Sequence, residues 1–170
     1  ALARAGFDGD LLRPGDDGYE AARHVWNAMV DRRPGLIARC AGTGDVIAAV
    51  RLARDEGLEI SVRGGGHSIV GHGVTDGGLM IDLSKMRGVH LDADRRRAWV
   101  QGGALLRDLD RECAMAGLVT TGGGVSHTGV GGLTLGGGYG YLARMHALAC
   151  DNLVAAQVVT ADGEFVRASD

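Results

Sequence analysis

The order of apolar and polar positions divides the chain into segments of different period. Leu36, Ile37, Ala38 and Arg39 form a short strand-like run. Thr43 follows as an expected helix N-cap, with Asp45 in the first turn and Val46, Ile47, Val50 and Ala53 at helical spacing up to the stop at Gly57. Residues 58–62 read as a second strand, and 79–83, 89–91 and 98–100 as three more separated by tight turns. Residues 104–116 are amphipathic, with Leu105, Leu106, Leu109 and Cys113 near one face and Gly117 at the end. Residues 153–160 predict a strand, Asp162 and Gly163 a hairpin turn, and 164–167 the returning strand. Before all of this, Pro14, Gly15 and Asp16 mark a turn ahead of a helix expected within 19–29, in an arm anchored by Tyr19, Val25 and Trp26. One strand and helix followed by several consecutive strands point to an α+β fold and away from a doubly wound parallel sheet.

Two stretches fit neither period. Residues 60–73 read ISVRGGGHSIVGHG, and residues 121–141 read TGGGVSHTGVGGLTLGGGYGY. Thirty of the 170 residues are glycine, without a collagen repeat and within a chain that is 45% apolar, so the glycines serve turns and close approaches. Successive amides without side-chain cover, as at Gly64, Gly65 and Gly66, can converge on a phosphate, although a glycine-rich surface turn has the same spelling. The bare backbone of 121–141 suggests a surface pressed against a large flat ligand or another backbone. So much ordered glycine also implies that a ligand contributes to stability.

Charge and composition exclude several classes. A net charge of −3 with 4% aromatic residues argues against a nucleic-acid surface, and Arg95, Arg96 and Arg97 read as a solvated turn. Cys40, Cys113 and Cys150 lack metal-ligand spacing, and Cys113 reads as core. No apolar run reaches membrane-span length and no signal-like segment opens the chain, so a cytoplasmic location without membrane association is expected, although without an initiating Met a processed leader stays open. A Walker loop would need a lysine after the glycines, and none follows. A Rossmann fingerprint would need a helix where 60–73 leads into more loop. A third reading is a non-Rossmann flavin domain, in which two glycine loops from different subdomains would clasp FAD between them.

VRGGGHSIVGHG, DGGLMIDLSKM, GGGVSHTGVGGLTLGGGYGYLAR and CDNLVAAQVVTADG, in that order, resemble the FAD-binding domain of the vanillyl alcohol oxidase superfamily (p-cresol methylhydroxylase type), specifically berberine bridge enzyme-like oxidoreductases. The resemblance covers about residues 14–170. It implies two small α/β subdomains clasping FAD: an N-terminal arm over 1–35, a first subdomain over 36–95 and a second over 96–170, the latter incomplete. It also implies that His67 bonds covalently to the flavin 8α carbon. The backbone from Arg63 through Gly64, Gly65, Gly66, His67 and Ser68 would bind the pyrophosphate, with Gly71 and His72 nearby. Gly123, Val125, Thr128, Gly131, Gly132 and Gly136 would line the flavin, and Val159 would approach the adenine end. A neutral imidazole is a competent nucleophile, and the alternative for His67 is a hydrogen-bonded loop histidine in a non-covalent site. A metal role for His67 with His72 would need a helix that the flanking glycines oppose.

Some members attach the flavin a second time through a cysteine at the position of Val125, which has no thiol, so a single attachment at His67 is expected. Where the resemblance implies a tyrosine or similar residue and then glycine before Leu148, this chain has His146 and Ala147, with His146 either a structural replacement packing on the ring or an altered flavin contact. The substrate domain that would carry the catalytic base and the small-molecule substrate pocket has no counterpart in these residues, so no catalytic residue is assigned. The expected function is an FAD-dependent oxidase or dehydrogenase taking a hydride from an alcohol, amine or sugar carbon, its substrate domain supplied in cis or by a partner chain. The alternative is a flavin-binding module without its own substrate site.

Overall fold

The computed structural model describes residues 6–169. Residues 1–5 of the expected arm and residue 170 of the expected second subdomain lie outside the described residues. A four-stranded sheet in the order β1-β2-β4-β3 carries the first part: β1 (Asp10–Leu12), β2 (Leu36–Arg39), β3 (Ile60–Arg63) and β4 (Leu79–Asp82). β2 and β3 run parallel to the central β4, and β1 adds antiparallel to the outside of β2. β4 is buried along its whole length, because period-two alternation sends its side chains to two separate layers. Leu79 and Ile81 pack with Ala38, Ala49, Val50 and Ala53 under α2 (Thr43–Glu56). Met80 and Ile37 pack with Tyr19, Ala22 and Val74 on the opposite side, where α1 (Tyr19–Arg23) lies.

Two expectations are corrected here. Thr43 is the first helical residue, not the cap: Gly42 occupies the N-cap with no side-chain bond, and Asp45 closes the helix start by accepting the amide of Ala41 at 2.8 Å and that of Asp8 at 2.9 Å. The carboxylate beside exposed helix N–H groups also suits the helix dipole. The helix expected within 19–29 ends at Arg23, which bonds Glu20 and Asp31 and the carbonyl of Arg32, folding the following segment back. Trp26 is therefore not an interior anchor. It is 60% exposed, while Tyr19 is buried and donates its hydroxyl to the Pro34 carbonyl at 2.8 Å.

Two hairpins follow, β5 (Val89–Asp92) with β6 (Arg97–Val100) and β7 (Ala155–Val159) with β8 (Phe165–Ser169). Arg95 and Arg96 sit in the first hairpin's turn, with the Arg95 amide bonded to Asp92 at 3.0 Å. Between the hairpins lie α3 (Leu106–Met115), α4 (Val130–Leu135) and α5 (Ala143–His146). The last two fall inside the glycine-rich 121–141 stretch and its continuation. Asp108 accepts the Leu105 amide at 2.9 Å and a bidentate pair from Arg87 at 2.6 and 2.8 Å, locking the start of α3 to the segment before β5. Among the described residues, no helix is long and apolar enough to cross a membrane.

Candidate functional site

The glycine loop after β3 is held from below by a buried carboxylate. Asp82, at the end of β4, is inaccessible to solvent and lies opposite Arg63 in the parallel register. Arg63 reaches it through Nη2 at 2.7 Å and Nε at 3.2 Å, and Ser84 adds its amide and hydroxyl, each at 2.9 Å. Arg39 Nε lies 3.3 Å away, off the line a hydrogen bond requires. Charges buried with this many partners fix geometry more than they add stability. Here they fix where the chain leaves β3. The second Arg63 branch donates to the His24 carbonyl at 3.0 Å, and the Trp26 amide donates to Gly66 at 3.0 Å, so the 24–26 segment is tied along the loop.

Among the described residues, the successive amides of Gly64, Gly65, Gly66, His67 and Ser68 donate to no protein acceptor. Gly66 has φ 72°, a conformation that side-chain-bearing residues avoid. The loop borders a cavity of about 330 Å³ lined by Arg63 to His67 together with His24, Trp26, Ser84, Arg87, Leu105 and His127. Unpaired amides cost free energy unless water or a ligand takes them up. A diphosphate accepts such bonds, so the residues present fit the phosphate end of a dinucleotide cofactor.

His67 is the half-buried imidazole of the cavity. Its ring stacks on Trp26, centroids 5.3 Å apart and planes inclined 18°, and its Nε2 lies 2.6 Å from Nδ1 of His127. Burial lowers its pKa below the ordinary 6.5, and the neighbouring His127 lowers it further. The ring is thereby kept neutral and nucleophilic near pH 7. His127 was not singled out from the sequence, and Trp26 was read there only as an anchor of the N-terminal arm. His127 stands 60 residues from His67, and the only hint was a second histidine inside the second glycine stretch.

The remaining candidates fall into three groups. Ser68 accepts the His72 amide at 3.1 Å, and Gly71, at φ 79°, packs on Val30, so these two and His72 shape the turn behind the cradle. Gly123 faces Leu106 and Leu133, Gly131 faces the Gly102 carbonyl, and the Thr128 amide donates to the Val125 carbonyl while the Thr128 carbonyl accepts from the Leu106 amide. Gly132 and Gly136 are exposed, the former with open space where a side chain would stand, and Val125 is about half exposed. Val159 packs on the core under α2, away from the cavity lining. His146 is exposed at the end of α5, and no group of three or more metal-ligating side chains occurs among the described residues.

Fold and cradle together define a cofactor-binding α+β domain with a glycine loop and a histidine at its mouth. A family model described as an FAD binding domain matches residues 34–169, and the chain belongs to that family, within the berberine bridge enzyme-like branch of the vanillyl alcohol oxidase superfamily. Its cofactor is FAD. The chain is 43% identical over 164 residues to (R)-6-hydroxynicotine oxidase of Paenarthrobacter nicotinovorans, covering 96% of this chain and 36% of that protein. A crystal structure of 6-hydroxy-D-nicotine oxidase from Arthrobacter nicotinovorans superposes with a TM-score of 0.95 at 42% identity, over 98% of this chain and 37% of that one. Glucooligosaccharide oxidase from Acremonium strictum, described with a 6-S-cysteinyl, 8α-N1-histidyl FAD, superposes with a TM-score of 0.92 at 37% identity, over 99% of this chain and 35% of that one. The chain thus spans about a third of the length of the relatives it matches, and the substrate domain is not within it.

Proposed function

We propose that this chain is the flavin-holding part of an FAD-dependent oxidoreductase, with FAD attached covalently through His67 alone. The observation that carries the reading is the stacked His67 imidazole, its pKa lowered by burial, within a run of five residues, 64–68, whose amides donate to no protein acceptor among the described residues. In this reading Gly64 to Ser68 bind the pyrophosphate, and Gly132 and Gly136 leave room for the ring. Val125 carries no thiol for the second attachment named for glucooligosaccharide oxidase. The arm over 1–35 and the subdomains over 36–95 and 96–170 are proposed as the working divisions.

The reaction class is withdrawal of a hydride from an alcohol, amine or sugar carbon, which bound FAD accepts. The relatives' names, an oxidase of 6-hydroxynicotine and one of glucooligosaccharides, support a small-molecule substrate of amine or sugar type. Leu135, Tyr139, Tyr141 and Met145 are each at least 76% exposed, and this apolar surface supports a covering substrate domain, in cis or from a partner chain. The test is anaerobic mixing of the full-length holoprotein with amines, alcohols and oligosaccharides, followed at the flavin absorption band. Bleaching by one class identifies it. No bleaching by any class, with FAD bound, returns the chain to a flavin-binding module.

A further inference from the structure

Two imidazole nitrogens 2.6 Å apart share one proton: two N–H groups would collide and two lone pairs would repel. Among the described residues Nδ1 of His67 has no hydrogen-bond partner, whereas Nε2 is committed to His127. For Nδ1 to carry the reactive lone pair, the shared proton must sit on Nε2 with His127 Nδ1 accepting it. Trp26, stacked at 18° on the same ring, hinders a flip that would exchange the two nitrogens.

We infer that His127 is a positioning residue for flavin attachment, orienting the His67 ring so that Nδ1 reacts and taking up the Nε2 proton as the bond forms. The inference rests on the covalent reading above. A C–N bond forms between Nδ1 and the flavin 8α carbon. The methyl group loses one proton and His67 loses its Nε2 proton to His127. The ring system gains two electrons and two protons, the second relayed from His127, and is left reduced. Dioxygen then reoxidises it, giving hydrogen peroxide. As Nδ1 becomes bonded, positive charge develops on the imidazole, and an acceptor already in line at Nε2 removes it without reorganisation. His127 is exposed, so its far nitrogen can return the proton to solvent.

The test uses the full-length apoprotein reconstituted with FAD, following reversible binding by flavin fluorescence and covalent incorporation by acid-stable flavin. Proton transfer by a positioned side chain is worth about 10²–10⁴-fold. His127→Ala and His127→Asn are both expected to slow incorporation at least about tenfold, with FAD affinity within about threefold of wild type, since Asn can hydrogen-bond but cannot take up the proton. Tandem mass spectrometry and NMR of the wild-type flavopeptide are expected to find the linkage at Nδ1. Unchanged incorporation in His127→Ala, parallel loss of FAD affinity in both variants, recovery of the full rate in His127→Asn, or linkage through Nε2 would each overturn the inference. His67→Ala separates the two readings. If wild type itself carries no acid-stable flavin, the covalent reading fails first and this inference falls with it.

Discussion

Gly65 and Gly129 are packed backbone against backbone: a Cβ on residue 65 would lie 2.5 Å from the Gly129 Cα and closer still to its amide nitrogen. The first glycine loop therefore meets the second directly, and the isolated bridge between Leu105 and Gly129 continues the contact. Gly65→Ala is expected to cost at least about 3 kcal/mol, because the obstacle is backbone and cannot change rotamer. Gly132→Ala meets nothing within 4 Å and should leave the fold intact while weakening FAD binding. Chemical denaturation of the two apo variants, followed by FAD titration, checks both expectations.

Asp82 gathers Arg63, Ser84 and Arg39 at the base of the cradle. Removing one partner of a buried ion pair leaves the other uncompensated, so Asp82→Ala should lose about 3–5 kcal/mol in urea unfolding. Asp55→Ala breaks an exposed pair with Arg54 and should stay within about 1 kcal/mol. Equal losses in the two variants would refute a special role for Asp82.

Ala147 takes φ 60° and ψ −164°, a region in which glycine alone is comfortable. Strain there is worth about 1–3 kcal/mol, partly offset by the entropy glycine loses on folding. Ala147→Gly should therefore raise the thermal midpoint, a change that differential scanning calorimetry would detect. A lowered midpoint would refute the strain.

The pKa of His67 lies below 6.5, through burial first and His127 second. The folded state thus disfavours the charged imidazole. Its contribution to stability is fully present above pH 6.5 and is lost as pH falls through the depressed folded value. The nucleophilic form follows the same course, against a cavity that also holds His24, Arg63 and Arg87. Covalent flavin incorporation should be level above pH 6.5 and fall towards acid as the His67 imidazole takes up a proton. An incorporation rate that rises towards acid would contradict this.

Elements with strong local patterns were legible from sequence. Residues 36–39 form the expected strand, 79–83 shortens by one residue, and α2 and α3 appear where apolar spacing put them. The family resemblance gave FAD and the fold, both of which the comparisons bear out. β1 was missed because Asp10–Leu12 is three residues long and gains its bonds from β2, far along the chain. α4 was missed because VGGLTL places two glycines in six residues, each costing about 1 kcal/mol against alanine, so only its surroundings make it helical. Trp26 over His67, and His127 beside it, unite residues from three distant segments. No local period encodes such a meeting.

Acid precipitation of the purified full-length protein, with flavin absorbance read in pellet and supernatant and the flavopeptide sequenced, tests the central claim most directly. Yellow colour retained in the pellet, mapped to the peptide containing His67 and lost to the supernatant in His67→Ala, is the predicted result. Flavin released wholly to the supernatant by the wild-type protein, or found on a cysteine, would contradict it.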